Sequence, residues 1–210
     1  MCMEDLIAEI RGNLPEVCPS IRRRCAVHEA GHAIAIAALH PATLRHVSIR
    51  QTSTTGGGVI SQRPLHDLAT SDDIDALITI LMAGRAAEVI FLGTASSGAG
   101  GGVESDLAKA TMLATSAITA LGLSGAATPI WSGMPSPDTI DILLSRRPDI
   151  ARQVEARLDR AYGAAISLIT SHSASLPRIV DKLIEAETLS GAEVLALLLA
   201  ETPSPELEAC

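Results

Sequence analysis

The residues best able to do chemistry sit together near the start of the chain, in His28-Glu29-Ala30-Gly31-His32. An H-E-x-x-H run works when it is helical. Residues four apart share a helix face, so both imidazoles can reach one ion. Glu29, offset by one residue, flanks that face and can hold and deprotonate an activated water without binding the ion. The expected ion is zinc, at about 2.0–2.1 Å from each histidine nitrogen. Zinc lowers the pKa of water to about 7, which makes hydroxide available at neutral pH. With six His and 13 Glu in 210 residues, about 0.01 such motifs arise by chance. The bland alternative is a solvent-facing His/Glu helix face. Against it stand a helical context with no proline inside it and two small residues, Ala30 and Gly31, that allow close approach.

A catalytic zinc takes three protein ligands and keeps a fourth position open. The candidates for the third are few. Asp106 follows a glycine-rich segment, within Val103-Glu104-Ser105-Asp106-Leu107, and Glu104 is two residues away. Acids at a helix start also serve the helix dipole and the cap, so spacing alone leaves the two readings of Asp106 equally good. Cys25, one turn before His28, reads as a small packing residue, as free cysteines mostly are. His40, His46, His66 and His172 have no motif partner and read as surface or locally bonded side chains. Arg22-Arg23-Arg24 reads as a solvated helix start. Arg85 and Glu88 are candidates for contacts to the metal ligands, or for an ion pair with each other on their helix.

The elements that must position these residues are mostly helical. Pro19-Ser20 opens a helix that runs to about Leu39, where His40-Pro41 stops it. Leu44 to Gln51 and Val59 to Arg63 read as two short strands around Gly56-Gly57-Gly58. Thr70 or Ser71 caps a second helix with Asp72, Asp73 and Asp75 in its first turn. A further helix is expected from near Val103 to Leu121, and residues 122–147, broken by Pro129, Pro135 and Pro137, read as irregular. Val154, Leu158, Ala161, Ala165 and Ile169 recur at helical spacing. Pro177 separates that helix from a shorter one, and Ser190-Gly-Ala-Glu193 is a capping box before a last helix.

Composition limits the rest. The chain carries 33 alanines and three aromatic residues, with a net charge of −8. An alanine-rich aliphatic core favours closely packed helices. An acidic surface argues against nucleic-acid binding, which needs cations against phosphates, and three aromatics make no base-stacking platform. No apolar run approaches the roughly 20 residues of a bilayer span, and the first residues lack the basic and apolar regions of a signal peptide. Four cysteines without a C-x-x-C pair fit a reduced, cytoplasmic protein.

Three motifs occur in order: His28-Glu-Ala-Gly-His32, then Ala83-Gly84-Arg85-Ala86-Ala87-Glu88, then Ser105-Asp106-Leu107-Ala108-Lys109-Ala110-Thr111. Together with Leu158-Asp-Arg-Ala-Tyr162 and Glu185-Ala-Glu-Thr-Leu189, this set resembles the peptidase domain of FtsH-type ATP-dependent zinc metalloproteases, over roughly residues 20–200. The resemblance implies a zincin-like metallopeptidase domain, mainly α with a small two-stranded β element and a helical C-terminal lobe. It implies that His28, His32 and Asp106 bind zinc and that Glu29 is the general base. It also implies that Gly58, Val59 and Ile60 lie on an edge strand able to pair with an extended substrate. The expected organisation is an N-terminal segment 1–19, a zinc-binding peptidase core 20–121, a connector 122–147, a helical lobe 148–201 and a frayed tail 202–210.

The departures from that family are specific. No P-loop Gly-Lys-Ser/Thr occurs, since Lys109 and Lys182 are the only lysines. The length leaves no room for a motor, so unfolded proteins or peptides are the expected substrates, unless a separate ATPase unfoldase delivers folded ones. A hexamer is expected by resemblance only. Position 27 is Val where the family often has an aromatic. The segment before Asp106 is longer and richer in glycine, and if floppy it would weaken the metal. Two other functions remain in view: a non-proteolytic, zinc-stabilised binding or oligomerisation module, and a two-His-one-carboxylate iron site. Neither gives Glu29 a task.

Overall fold

A computed structural model of the chain describes residues 17–50, 57–61, 68–125 and 129–200. Helix α1 spans Pro19–Leu39, with proline in its first turn, where no amide donor is missed. From Ala26 to Ala37 it is buried on most sides, which its run of small and aliphatic residues permits. Strand β1 (Leu44–Ser48) follows a short 3-10 turn, and β2 (Gly58–Ser61) pairs with it antiparallel, Val47 opposite Val59.

Helix α2 spans Ser71–Leu92. Thr70 is its cap: its hydroxyl accepts from the Asp73 amide, and the Asp73 carboxylate accepts from the Thr70 amide in return. Gly93 ends it in the left-handed conformation at φ 75°, which glycine adopts without strain. Helix α3 runs Asp106–Thr119. It starts later than the sequence pattern predicts because Ser105 caps it, its hydroxyl accepting from the Ala108 amide. The stretch expected to be irregular contains a short helix, α4 (Ile140–Arg146). Helix α5 (Pro148–Ser171) buries Val154, Ala161, Ala165 and Ile169 on one stripe. Pro177 does not separate helices: it lies in the first turn of α6 (Ser175–Ala186), where proline is tolerated.

The sheet has three strands rather than the two expected, in the order β2–β1–β3. Strand β3 (Thr188–Ser190) pairs antiparallel with β1, Val47 opposite Leu189. Ser190 then caps α7 (Gly191–Leu199) with Glu193, as the capping box predicts. A three-residue strand has too few residues to show a period, and a capping box at its end reads as a helix start. One aliphatic core joins α1, α2 and α3 to α5, α6 and α7, with Ile34, Ile78, Ile169, Leu176 and Leu183 at its centre. Helices α2, α5, α6 and α7 pack against α1, and α2 lies along the face that carries His28 and His32. The proposed tail 202–210 and most of segment 1–19 lie outside the described residues, as does His66.

Candidate metal centre

His28 and His32 are one helical turn apart on α1, and Asp106 is the first residue of α3. Their donor atoms converge. The two Nε2 atoms are 3.1 Å apart, and Asp106 Oδ2 lies 3.1 Å from His28 Nε2 and 3.2 Å from His32 Nε2. Ligand atoms around a tetrahedral zinc with bonds of about 2.0–2.1 Å stand about 3.3 Å apart. The triangle therefore fits zinc with little adjustment. Among the described residues it is the one group of three His, Cys, Asp or Glu side chains gathered this closely, and no fourth joins it. Cys25 is half-buried, free and outside the group.

Each imidazole is oriented by its other nitrogen. His32 Nδ1 donates to the Ile80 carbonyl at 2.8 Å, and His28 Nδ1 donates to Glu88 Oε1 at 2.9 Å. Both acceptors fix the proton on Nδ1 and leave Nε2 facing the triangle. Glu88 is buried, 1% exposed, and also accepts from the Ser96 amide and hydroxyl and from Arg24. Burial works against its charge, but the bonds from Arg24, Ser96 and His28 hold its carboxyl below the ordinary range.

Electrostatics tie the three candidates together. Burial opposes a proton on His32, yet the hydrogen bond and charge of Asp106, with smaller help from Glu29 and the Ile80 carbonyl, push it up to about 9. Burial also works against Asp106, and the bonds and charges of His28 and His32 outweigh it, keeping the carboxyl well below the carboxylate range. The α3 N-terminus favours that anion as well. Glu29 differs. It makes no hydrogen bond with any described residue, and burial pushes its pKa up, against the opposing charges of His32 and His28. A carboxylate without a partner and with a raised pKa can accept a proton.

Strand β2, with Gly58, Val59 and Ile60, is an edge of the sheet among the described residues. Gly57, just before it, lies against Glu29: a Cβ there would stand 3.0 Å from Glu29 Oε1. Arg85 is exposed and contacts none of the three donors. It lines a cleft of about 120 Å³ beside Asp106, together with Leu81, Met82 and Leu107. The ion pair between Arg85 and Glu88 does not form; Arg24 occupies that role.

Two contributors escaped sequence reasoning. Gly84 on α2 faces the imidazoles, and a Cβ there would come within 2.6 Å of His32 Nε2 and 2.7 Å of His28 Nε2. Its sequence signals are a glycine inside an otherwise unbroken helical pattern and its place in the Ala83-to-Glu88 motif. The solvated helix start expected at Arg22-Arg23-Arg24 divides: Arg22 bonds the Ile184 carbonyl, Arg23 meets Asp181, and Arg24 meets Glu88.

The family model of peptidase family M41 matches residues 17–197, a stretch that holds the whole cluster. The chain belongs to peptidase family M41. Its relatives agree. The ATP-dependent zinc metalloprotease FtsH 2 of Symbiobacterium thermophilum is 33% identical over 192 residues, covering 87% of this chain and 31% of the relative. FtsH 1 and FtsH 3 of Sorangium cellulosum, which carry the same description, are 33% and 34% identical over 194 residues, covering 86% and 90% of the chain and 30% of each relative. The M41 chain thus spans about 30% of the length of these curated relatives. Among its described residues no helix is long and apolar enough to cross a membrane.

Proposed function

We propose that this M41 chain is a zinc-dependent endopeptidase unit that hydrolyses peptide bonds in unfolded proteins or peptides. His28 and His32, through Nε2, and Asp106, through Oδ2, are the residues that would hold the zinc. Bound zinc supplies Lewis acidity, which brings the ionisation of water near pH 7 and polarises a carbonyl. The chain's own residues do the rest. Glu29 takes a proton from the attacking water and passes it to the leaving amine nitrogen as the C–N bond breaks. Gly58 to Ile60 offer an extended edge to which a substrate backbone can add as a further strand, which gives binding tolerant of sequence. That edge lies beside Glu29, so backbone pairing would present a carbonyl to the base.

The observation that carries this reading is the 3.1–3.2 Å triangle of donor atoms beside a Glu29 carboxylate that bonds no described residue. A purely structural zinc would close its coordination with a fourth protein ligand, and none joins the three among the described residues. Two partners belong to the same proposal. The relatives' names carry ATP dependence, so a separate ATPase module would unfold substrates for this unit. A ring of six copies is the assembly that the family resemblance suggests.

The test is Glu29→Gln, assayed on an unstructured protein with zinc content measured in the same samples. Cleavage is expected to fall about 10²- to 10⁴-fold, the usual worth of a general base, while bound zinc stays the same. Equal cleavage by both proteins would rule out the assignment.

A further inference from the structure

Arg24 joins three pieces of the molecule. It lies one turn before His28 on α1. Its Nη1 donates to Glu88 Oε2 at 2.7 Å and to the Thr94 carbonyl at 2.8 Å, and Nη2 reaches Thr94 Oγ1 at 3.4 Å. Glu88 in turn holds His28 Nδ1 at 2.9 Å and the Ser96 amide at 2.7 Å. One guanidinium thus fastens the histidine helix to the end of α2 and to the first residues of the segment that leads to Asp106.

That segment, residues 93–105, contains five glycines. Such a chain has wide backbone freedom, and Gly101 uses it at φ 108°. Its far end is fixed by the Ser105 cap on α3. Its near end is fixed by the contacts that Arg24 and Glu88 make with Thr94 and Ser96.

We infer that Arg24 is a positioning residue for the metal centre: it locks the near end of the glycine-rich segment to the carboxylate that orients His28, so that His28 and Asp106 are presented together. The inference rests on the zinc reading above. Two features set this contact apart from a surface ion pair, which contributes little. Its carboxylate partner is 1% exposed. Its second partner is a backbone carbonyl, which ties down the course of the chain rather than another mobile side chain. Both bonds leave from Nη1 of a planar guanidinium that also reaches Thr94 Oγ1 through Nη2, whereas a lysine ammonium is a point charge on a flexible stem.

The test compares wild type, Arg24→Met and Arg24→Lys, each checked for fold by circular dichroism. Zinc affinity is measured by chelator competition, ligand geometry by the absorption spectrum of the cobalt-substituted protein, and segment order by hydrogen exchange at the Ser96 amide. R24M is expected to weaken zinc about 10- to 100-fold, as loss of a ligand-orienting contact does. It should also change the cobalt spectrum and speed exchange at Ser96. R24K, which keeps the cation but not the planar guanidinium, should fall between. If R24M does not fold, R24K alone decides by the same three measurements. Variants that match wild type in affinity and spectrum would overturn the clasp while leaving the zinc reading intact. A wild type that takes up no zinc would overturn both.

Discussion

At His32 the pKa is raised, so a proton is favoured on the cluster that, on the proposed reading, offers lone pairs to zinc. Burial opposes that proton, but Asp106 keeps it up to about pH 9. Zinc therefore has to displace it, and binding near pH 7.5 should release about one proton. Calorimetry in buffers of different ionisation enthalpy reads this directly, and a heat independent of buffer would contradict it. The same shift sets a stability trend. The folded pKa lies above the ordinary 6.5, so His32 stabilises the metal-free fold fully below that value and loses this contribution as pH rises through about 9. Asp106 has the opposite sign: its contribution is present above the ordinary 3.8 and is lost as pH falls toward its lowered pKa. The thermal midpoint of the metal-free protein should thus decline on the alkaline side, and saturating zinc should flatten that decline. The convergence of His28 and His32, with Glu29 beside them, was legible in sequence because their spacing is local to one helix. Asp106 was not separable from a helix-start acid by spacing, and only its place in an ordered set of motifs favoured it.

Between elements, the decisive contact is the face α2 turns to the histidines. Gly31 lets α2 come close, since a Cβ there would stand 2.5 Å from the Ala83 carbonyl. Gly84 then leaves room for both imidazoles. Gly84→Ala should raise intrinsic helix propensity by about 1 kcal/mol yet cost about 1–3 kcal/mol through overpacking. Its larger effect should be on the site. We expect helical content to survive and zinc affinity to drop more than about 10-fold, as for other disturbed ligand orientations; circular dichroism and chelator competition measure the two. A variant that binds zinc like wild type would mean that the imidazoles can shift freely. Such contacts were hidden from sequence reasoning because they depend on how two helices cross. Strand β3 was hidden for a related reason: Leu189 meets Val47 only once the chain has returned from α6. The helix caps at Thr70 and Ser190 were readable, since each motif closes within four residues.

For the molecule as a whole, one core links the helices before and after the α4 region, and the three-donor cluster joins α1 to the start of α3. Zinc should therefore stabilise the entire chain rather than one corner. A single unfolding transition is expected to move upward on zinc addition, by about 2.7 kcal/mol at a free concentration 100 times the dissociation constant, and a chelator should reverse it. A zinc-induced change in local spectra with an unmoved midpoint would contradict this coupling. The broad architecture was legible because alanine-rich helical patterns dominate the sequence. The route by which α5 to α7 return to pack against α1 was not, because no local pattern encodes which helix faces meet.

The separation of the donors along the chain carries a last consequence. His28 and Asp106 are 78 residues apart in sequence. As the chain emerges from synthesis, the two histidines appear first, and the carboxylate that completes the triangle follows only after α2 and the glycine-rich segment have been made. A half-synthesised chain thus carries two donors and no third, beside Glu29. On the proposed zinc reading, the three-donor site would be completed late, with the docking of α3, so any chemistry it supports would wait until the fold that confines it exists.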